Sequence, residues 1–176
     1  MKNDQLTILD DYRIPSIPSF NMQLLKWIGN KQRMARDIIS YFPQSYNTYI
    51  EPFLGSAGVL GNLSPNPGIG SDTLKPLMEI WIHLKNNPDE LKKWYKERRD
   101  RIEVEDKKIV YEDIRKSFNQ KPNGADLLFV CRACYGGVVR FRKLDGYMSS
   151  PCGIHNPIKP ESFNKRVDEW NKRVIN

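Results

Sequence analysis

Apolar positions along this chain come in short stripes, each closed by a turn residue. Met34, Ile38, Ile39 and Phe42 recur at helical spacing, with Asn30 ahead of them as a cap and Pro43 behind as a stop. Residues 46–53 read as a buried strand. Leu54-Gly-Ser-Ala-Gly58 then reads as a glycine-rich turn into a helix over 57–63. Pro65-Asn-Pro-Gly68 is a turn, and residues 68–72 form a short second strand ending on an acid. Leu74, Leu77, Met78, Trp81 and Ile82 draw a helical stripe that ends near Pro88. Residues 89–109 alternate in charge around Leu91, Trp94 and Tyr95, which predicts a solvent-exposed helix. Val110, Ile114 and Phe118 predict another short helix, and residues 125–134 an apolar one. Residues 138–148 alternate and contain Asp145-Gly146, a hairpin signal. Residues 151–160 form a loop, and Phe163, Val167, Trp170 and Val174 return to helical spacing. Residues 1–21, polar and interrupted by Pro15 and Pro18, read as a flexible or extended arm.

Composition narrows the partners. A chain of 176 residues makes one domain, or one domain with an insertion. The formal net charge of +7 favours a polyanion, most simply nucleic acid, although a solvated basic surface gives the same total. Three cysteines, an odd number, and no apolar N-terminal run predict a reduced, cytoplasmic protein without a signal peptide or membrane span.

Candidate chemistry concentrates in four places. Glu51 ends the first predicted strand and Asp72 the second, with Gly55 and Gly58 between them. Ligands of open α/β sheets sit at the carboxyl ends of strands. An acid at the tip of the second strand can take the ribose hydroxyls of an adenosine, or can simply cap the helix that follows. Lys26, Trp27 and Lys31 put an aromatic face and two cations near a helix start. That suits an aromatic, carboxylate-bearing ligand, and equally describes a surface lysine pair around a half-buried tryptophan. Arg140, Arg142 and Lys143, with Phe141 and Tyr147, make a basic aromatic ribbon of the kind that enters a major groove; the plainer reading is a solvated hairpin. Cys131-x2-Cys134 and Cys152-x2-His155 have the spacing of a Cys3His zinc ribbon, but the first pair lies in an apolar helical run, where buried free cysteine is common.

Together these residues resemble the D12 class of DNA adenine-N6 methyltransferases, of the Dam type. Lys26-Trp-Ile-Gly-Asn-Lys31 is similar to that family's K-W-x-G-x-K motif. Glu51-Pro-Phe-Leu-Gly-Ser-Ala-Gly58 resembles its E/D-P-F-x-G-x-G loop, with the second glycine one position later. Residues 132–141, followed by Pro151-Cys-Gly153, resemble its DNA-recognition insert and hairpin. The resemblance spans about residues 22–174 and implies an α/β fold: part of a Rossmann-like S-adenosylmethionine-dependent methyltransferase domain. Residues 22–86 would be the N-terminal part of the cofactor domain, 87–160 a helical and hairpin DNA-recognition insert, and 161–176 the start of the return.

The resemblance implies that Trp27, Lys31, Glu51, Pro52, Phe53, Gly55, Gly58 and Asp72 hold S-adenosylmethionine. It implies that Arg132, Tyr135, Arg140, Arg142 and Lys143 approach duplex DNA. Gly136 stands where the family often has Asn, and Ile154 where it often has a basic residue, so no target sequence follows. The family's Asp-Pro-Pro-Tyr motif is missing from these residues. In the family its Asp and an adjacent carbonyl accept from the adenine N6, and its Tyr stacks on the flipped base. The expectation is therefore a fragment or split subunit that needs a second chain for catalysis. The alternatives are an inactive truncated remnant and a zinc-ribbon DNA-binding module.

Overall fold

The computed structural model describes residues 20–174. All but the last two residues of the expected N-terminal arm lie outside the described residues. The elements run α1 (Ala35–Ile39), β1 (Tyr49–Glu51), α2 (Gly58–Leu63), β2 (Gly68–Gly70), α3 (Lys75–Asn86), α4 (Pro88–Asp100), α5 (Lys107–Gln120), α6 (Gly124–Ala133) and α7 (Pro160–Val174). Single 3-10 turns precede α1 and follow α4 and α6. The result is a helix-rich α/β arrangement.

α6 organises the helices because its sequence is predominantly apolar, with Asp126 and Arg132 as its charged residues. Every one of its residues is buried, and α3, α4 and α5 all pack on it. Leu127, Leu128, Phe129 and Val130 are fully covered, and each contributes roughly 1.5–3 kcal/mol of transfer free energy. α7 closes the other side, against α4, α3 and α2. Its Phe163, Val167 and Trp170 occupy the positions that the helical spacing predicted, all fully buried. One continuous core joins Phe20, Leu24 and Leu25 to these helices.

Three expectations change. The strand over residues 46–53 shortens to three residues, because β1 has a partner only along β2. The two are parallel, with Tyr49 opposite Gly68, Ile50 opposite Ile69 and Glu51 opposite Gly70. Ile50 and Ile69 stay more than half exposed on one face of this pair. The single exposed helix over residues 89–109 is instead two helices. The Asp106 carboxylate accepts from the Lys108 and Ile109 N–H groups and starts α5 afresh. Nor is α4 solvated all round: Leu91, Tyr95 and Arg99, four residues apart, are buried. Arg99 keeps its charge there by donating to the Pro157 carbonyl at 3.0 Å and to Glu103 at 2.6 Å. Finally, Met34 is 56% exposed rather than on the inner face of α1.

Candidate active site

The Glu51–Gly58 segment leaves β1, turns over the tip of β2 and enters α2. The turn is fixed mainly by backbone groups. The Leu54 N–H donates to the Ser71 carbonyl at 2.8 Å, and the Ser71 N–H to the Glu51 carbonyl at 3.0 Å, so the strand pairing extends past the sheet. Gly55 has φ +49 and Ala57 φ +52, both left-handed. At Gly58 glycine is required by space: a Cβ would lie 2.7 Å from the Gln32 backbone nitrogen and 3.0 Å from Asn30 Oδ1. Asn30 Oδ1 accepts from that same Gln32 N–H at 2.8 Å and holds the turn ahead of α1 against the loop; it is not the cap of α1, whose start at Met34 has no side-chain cap.

Two acids secure the turn from below. Asp72 uses both oxygens: one accepts from Gly55 N–H and the other from Leu74 N–H, each at 3.0 Å. It therefore fixes the turn that leads into α3, without capping the helix itself, and also tethers the glycine loop. Glu51 Oε2 accepts from the Tyr49 hydroxyl and from Leu60 N–H, both at 3.0 Å. Burial raises the Glu51 pKa above its ordinary value, partly opposed by those two hydrogen bonds. Burial, then the Glu51 charge, likewise raises the Tyr49 hydroxyl.

Around this turn lies a cavity of about 300 Å³ lined by Trp27, Lys31, Glu51, Phe53, Gly55, Gly58 and Asp72, with Ile28 and Ser56 among its other walls. These are seven of the eight residues expected to hold a cofactor. The eighth, Pro52, sits in the same turn, where the Ser71 hydroxyl donates to its carbonyl. Trp27 lies beside Gly55, and a Cβ there would sit 3.4 Å from its ring. Phe53 stands at the rim, 86% exposed. Trp81 escaped sequence reasoning as a loop support. It belongs to the expected helical stripe and is buried in the core, but its Nε1 also donates to the Gly55 carbonyl at 2.9 Å. Tyr49 was missed too, although its spacing of two from Glu51 puts both on one strand face.

The expected DNA-facing residues divide. Tyr135 is 58% exposed on the turn after α6, and Arg140 and Lys143 are exposed on the ribbon. That ribbon is a real hairpin: Phe141 pairs with Met148, Arg142 N–H donates to the Tyr147 carbonyl, and Ser149 N–H to that of Arg140. Asn119 holds it to α5 by exchanging hydrogen bonds with the Met148 backbone. Arg142 is engaged locally, donating to both oxygens of Asp145 and lying 4.3 Å from the Tyr147 ring centre. The Tyr147 N–H, then Arg142, hold the Asp145 carboxyl below its usual range. Arg132 is not a surface group at all. It is 7% exposed and donates to the Gln23 and Leu24 carbonyls.

The cysteines do not form the ribbon site. Cys131 is buried inside α6 with its thiol toward the Leu128 carbonyl, and Cys134 and Cys152 pair across an antiparallel bridge. Burial raises the Cys131 thiol to about 12 and the Cys134 thiol to about 11. Among the described residues no three His, Cys, Asp or Glu side chains converge as metal ligands. No helix among them is long and apolar enough to cross a membrane.

The family model of the D12 class N6 adenine-specific DNA methyltransferases matches residues 27–176. The chain belongs to this family. Its similarity to a DNA adenine methylase of Vibrio cholerae serotype O1 is 30% identity over 146 residues, 78% of this chain and 50% of that protein. A type II methyltransferase of Lactococcus lactis subsp. cremoris is 24% identical over 159 residues, 86% of this chain and 54% of its own length. Modification methylase StsI of Streptococcus sanguinis is 26% identical over 137 residues, 76% of this chain and 21% of its own. The chain thus spans about half the length, or less, of these curated relatives. The D12 match takes in both the loop over β1 and β2 and the α6–hairpin region.

Proposed function

We propose that this chain contributes the cofactor-binding and DNA-reading parts of an adenine-specific DNA methyltransferase, with S-adenosylmethionine as donor and adenine N6 in duplex DNA as acceptor. The observation that carries the reading is the convergence of Trp27, Lys31, Glu51, Phe53, Gly55, Gly58 and Asp72 on one cavity. S-adenosylmethionine supplies an activated methyl on a sulfonium. Trp27 and Phe53 offer aromatic faces to such a ligand, and Lys31 a cation for its carboxylate. Asp72 spends one lone pair of each oxygen on the backbone and keeps the others for ribose hydroxyls. The backbone bonds of the loop fix these groups in advance, which lowers the ordering cost of binding.

Residues 22–86 would form the cofactor side, 87–160 the DNA-reading insert and 161–176 the return, all as one part of a Rossmann-like methyltransferase. Tyr135, Arg140 and Lys143 are the exposed groups that would meet DNA, with Arg142 shaping the hairpin. The groups that receive the flipped adenine are not among these 176 residues, since they contain no Asp-Pro-Pro-Tyr. They must come from other sequence, in the same polypeptide or in a second one. Calorimetric titration of the 176-residue chain with S-adenosylmethionine tests the cofactor reading. Saturable binding that Trp27→Ala and Asp72→Ala each weaken at least tenfold is expected. Absence of binding by a well-folded chain would overturn it.

A further inference from the structure

A second cavity, of about 180 Å³, lies between the end of α6 and the 151–158 loop. Lys26, Arg132 and His155 line it together with Gly137 and Cys134, and no carboxylate does. Its charge is unbalanced. Arg132 is more than nine-tenths buried, yet its Nε has no hydrogen-bond partner among the described residues. Its Nη1 goes to neutral carbonyls, those of Gln23 and Leu24. Arg166 donates to the same Gln23 carbonyl at 3.1 Å, so two guanidinium groups share one backbone acceptor. Burial, then the Arg132 charge, pushes the Arg166 pKa down, as expected of two close cations. Among the described residues, neither arginine nor Lys26 forms an ion pair, whereas Arg98, Arg99, Arg101 and Arg115 all do. Lys26 is exposed and Arg166 half-buried, but Arg132 is a buried cation without a carboxylate partner, which is costly, and an anion in the adjoining space relieves that cost.

We propose that this cavity binds one phosphate-class anion, held by Lys26 and Arg132 with His155 at its exposed side. The ligand chemistry fits a backbone phosphodiester of DNA or a free phosphate equally. The position gives the site a consequence. The Lys26 stem packs on Gly137, where a Cβ would come 2.8 Å from it, while the next residue, Trp27, lines the cofactor cavity. A phosphate on Lys26 therefore sits one residue from the cofactor wall.

Two arms test the site. In the first, the chain is melted in phosphate and in chloride at equal ionic strength. Phosphate is expected to raise the melting temperature of the wild type, and Lys26→Gln and His155→Gln to remove most of that rise. Arg132→Gln should do the same if it folds. This arm needs neither cofactor nor methylation, so it stands apart from the cofactor reading. The second arm rests on the DNA-binding reading and measures duplex affinity against salt. Loss of one phosphodiester contact lowers the log–log slope by about 0.9. That result in the Lys26→Gln, His155→Gln double variant assigns the site to DNA, and phosphate-specific stabilisation with an unchanged slope assigns it to free phosphate. Equal melting in phosphate and chloride together with an unchanged slope overturns the proposal.

Discussion

The two cavities on either side of the Lys26–Trp27 dipeptide differ in how their polar groups are satisfied. In the cavity over β1 and β2 the protein answers its own charges. Asp72 takes an N–H on each oxygen, Glu51 takes a hydroxyl and an N–H, and Trp81 holds the Gly55 carbonyl. In the cavity beside α6, Arg132 and Arg166 crowd one carbonyl and the Arg132 Nε is unpartnered among the described residues. The first cavity is held in shape by internal hydrogen bonds; the second leaves a buried charge that an anion would complete. Shape should therefore be the sensitive property of the first and charge that of the second.

The largest break in this comparison is expected at Gly58. An Ala there drives a methyl to 2.7 Å from the Gln32 backbone nitrogen, and backbone cannot rotate away as a side chain can. The loop and the Asn30–Gln32 turn must separate. Gly58→Ala should cost about 2–3 kcal/mol in urea unfolding and abolish S-adenosylmethionine binding. Phosphate-dependent melting of the surviving folded fraction should persist. Loss of both responses together at full helical content would show that the two cavities are one unit.

Gly58 also marks what was legible in the sequence. Its demand follows from a local motif, and so does the double use of Asp72 past a strand tip, so most residues that line the cavity over β1 and β2 could be named from local motifs. The α6 and α7 helices were legible because their apolar periods are unmasked. The inner face of α4 was not: Leu91, Tyr95 and Arg99 hold a period of four inside a charge run, and besides Glu103 the buried Arg99 relies on the carbonyl of distant Pro157. Arg132 fails for the same reason. A motif places it in the expected DNA-recognition insert, but its side chain turns inward to Gln23 and Leu24, more than a hundred residues earlier. Tertiary acceptors of this kind leave no trace in local sequence.

An intermediate effect is expected at Glu51, and it is a pH effect. Its folded pKa is raised by burial, so the folded state binds the proton more tightly than the unfolded chain. The stability this contributes is fully present below the ordinary glutamate pKa. It is lost as pH rises from there through the raised folded value. Glu51→Gln keeps a carbonyl oxygen for Tyr49 and Leu60 and removes the titration. Denaturant unfolding between pH 4 and pH 8 should show the wild type losing stability relative to the variant as pH rises, with a constant difference at the upper end. Parallel curves across the range would mean that the internal hydrogen bonds fully offset the burial of the charge.

The smallest effect separates two arginines of the hairpin. Arg142 is tied to Asp145 and Tyr147, whereas Arg140 is exposed and has no ion pair among the described residues. Arg140→Ala should leave stability within about 0.5 kcal/mol, as for an uncoupled surface position. It should weaken duplex binding and lower the salt slope by about one phosphate contact, or by about 1–3 kcal/mol at a single base pair if it reads a base edge. Arg142→Ala should act differently, releasing the Asp145 carboxylate and loosening the turn, with a loss of affinity spread over all sequences. Fluorescence anisotropy of the two variants on matched duplexes decides between a reading role and a shaping role. Equal, sequence-independent losses would place both arginines among the shaping contacts and leave Tyr135 as the exposed candidate for reading.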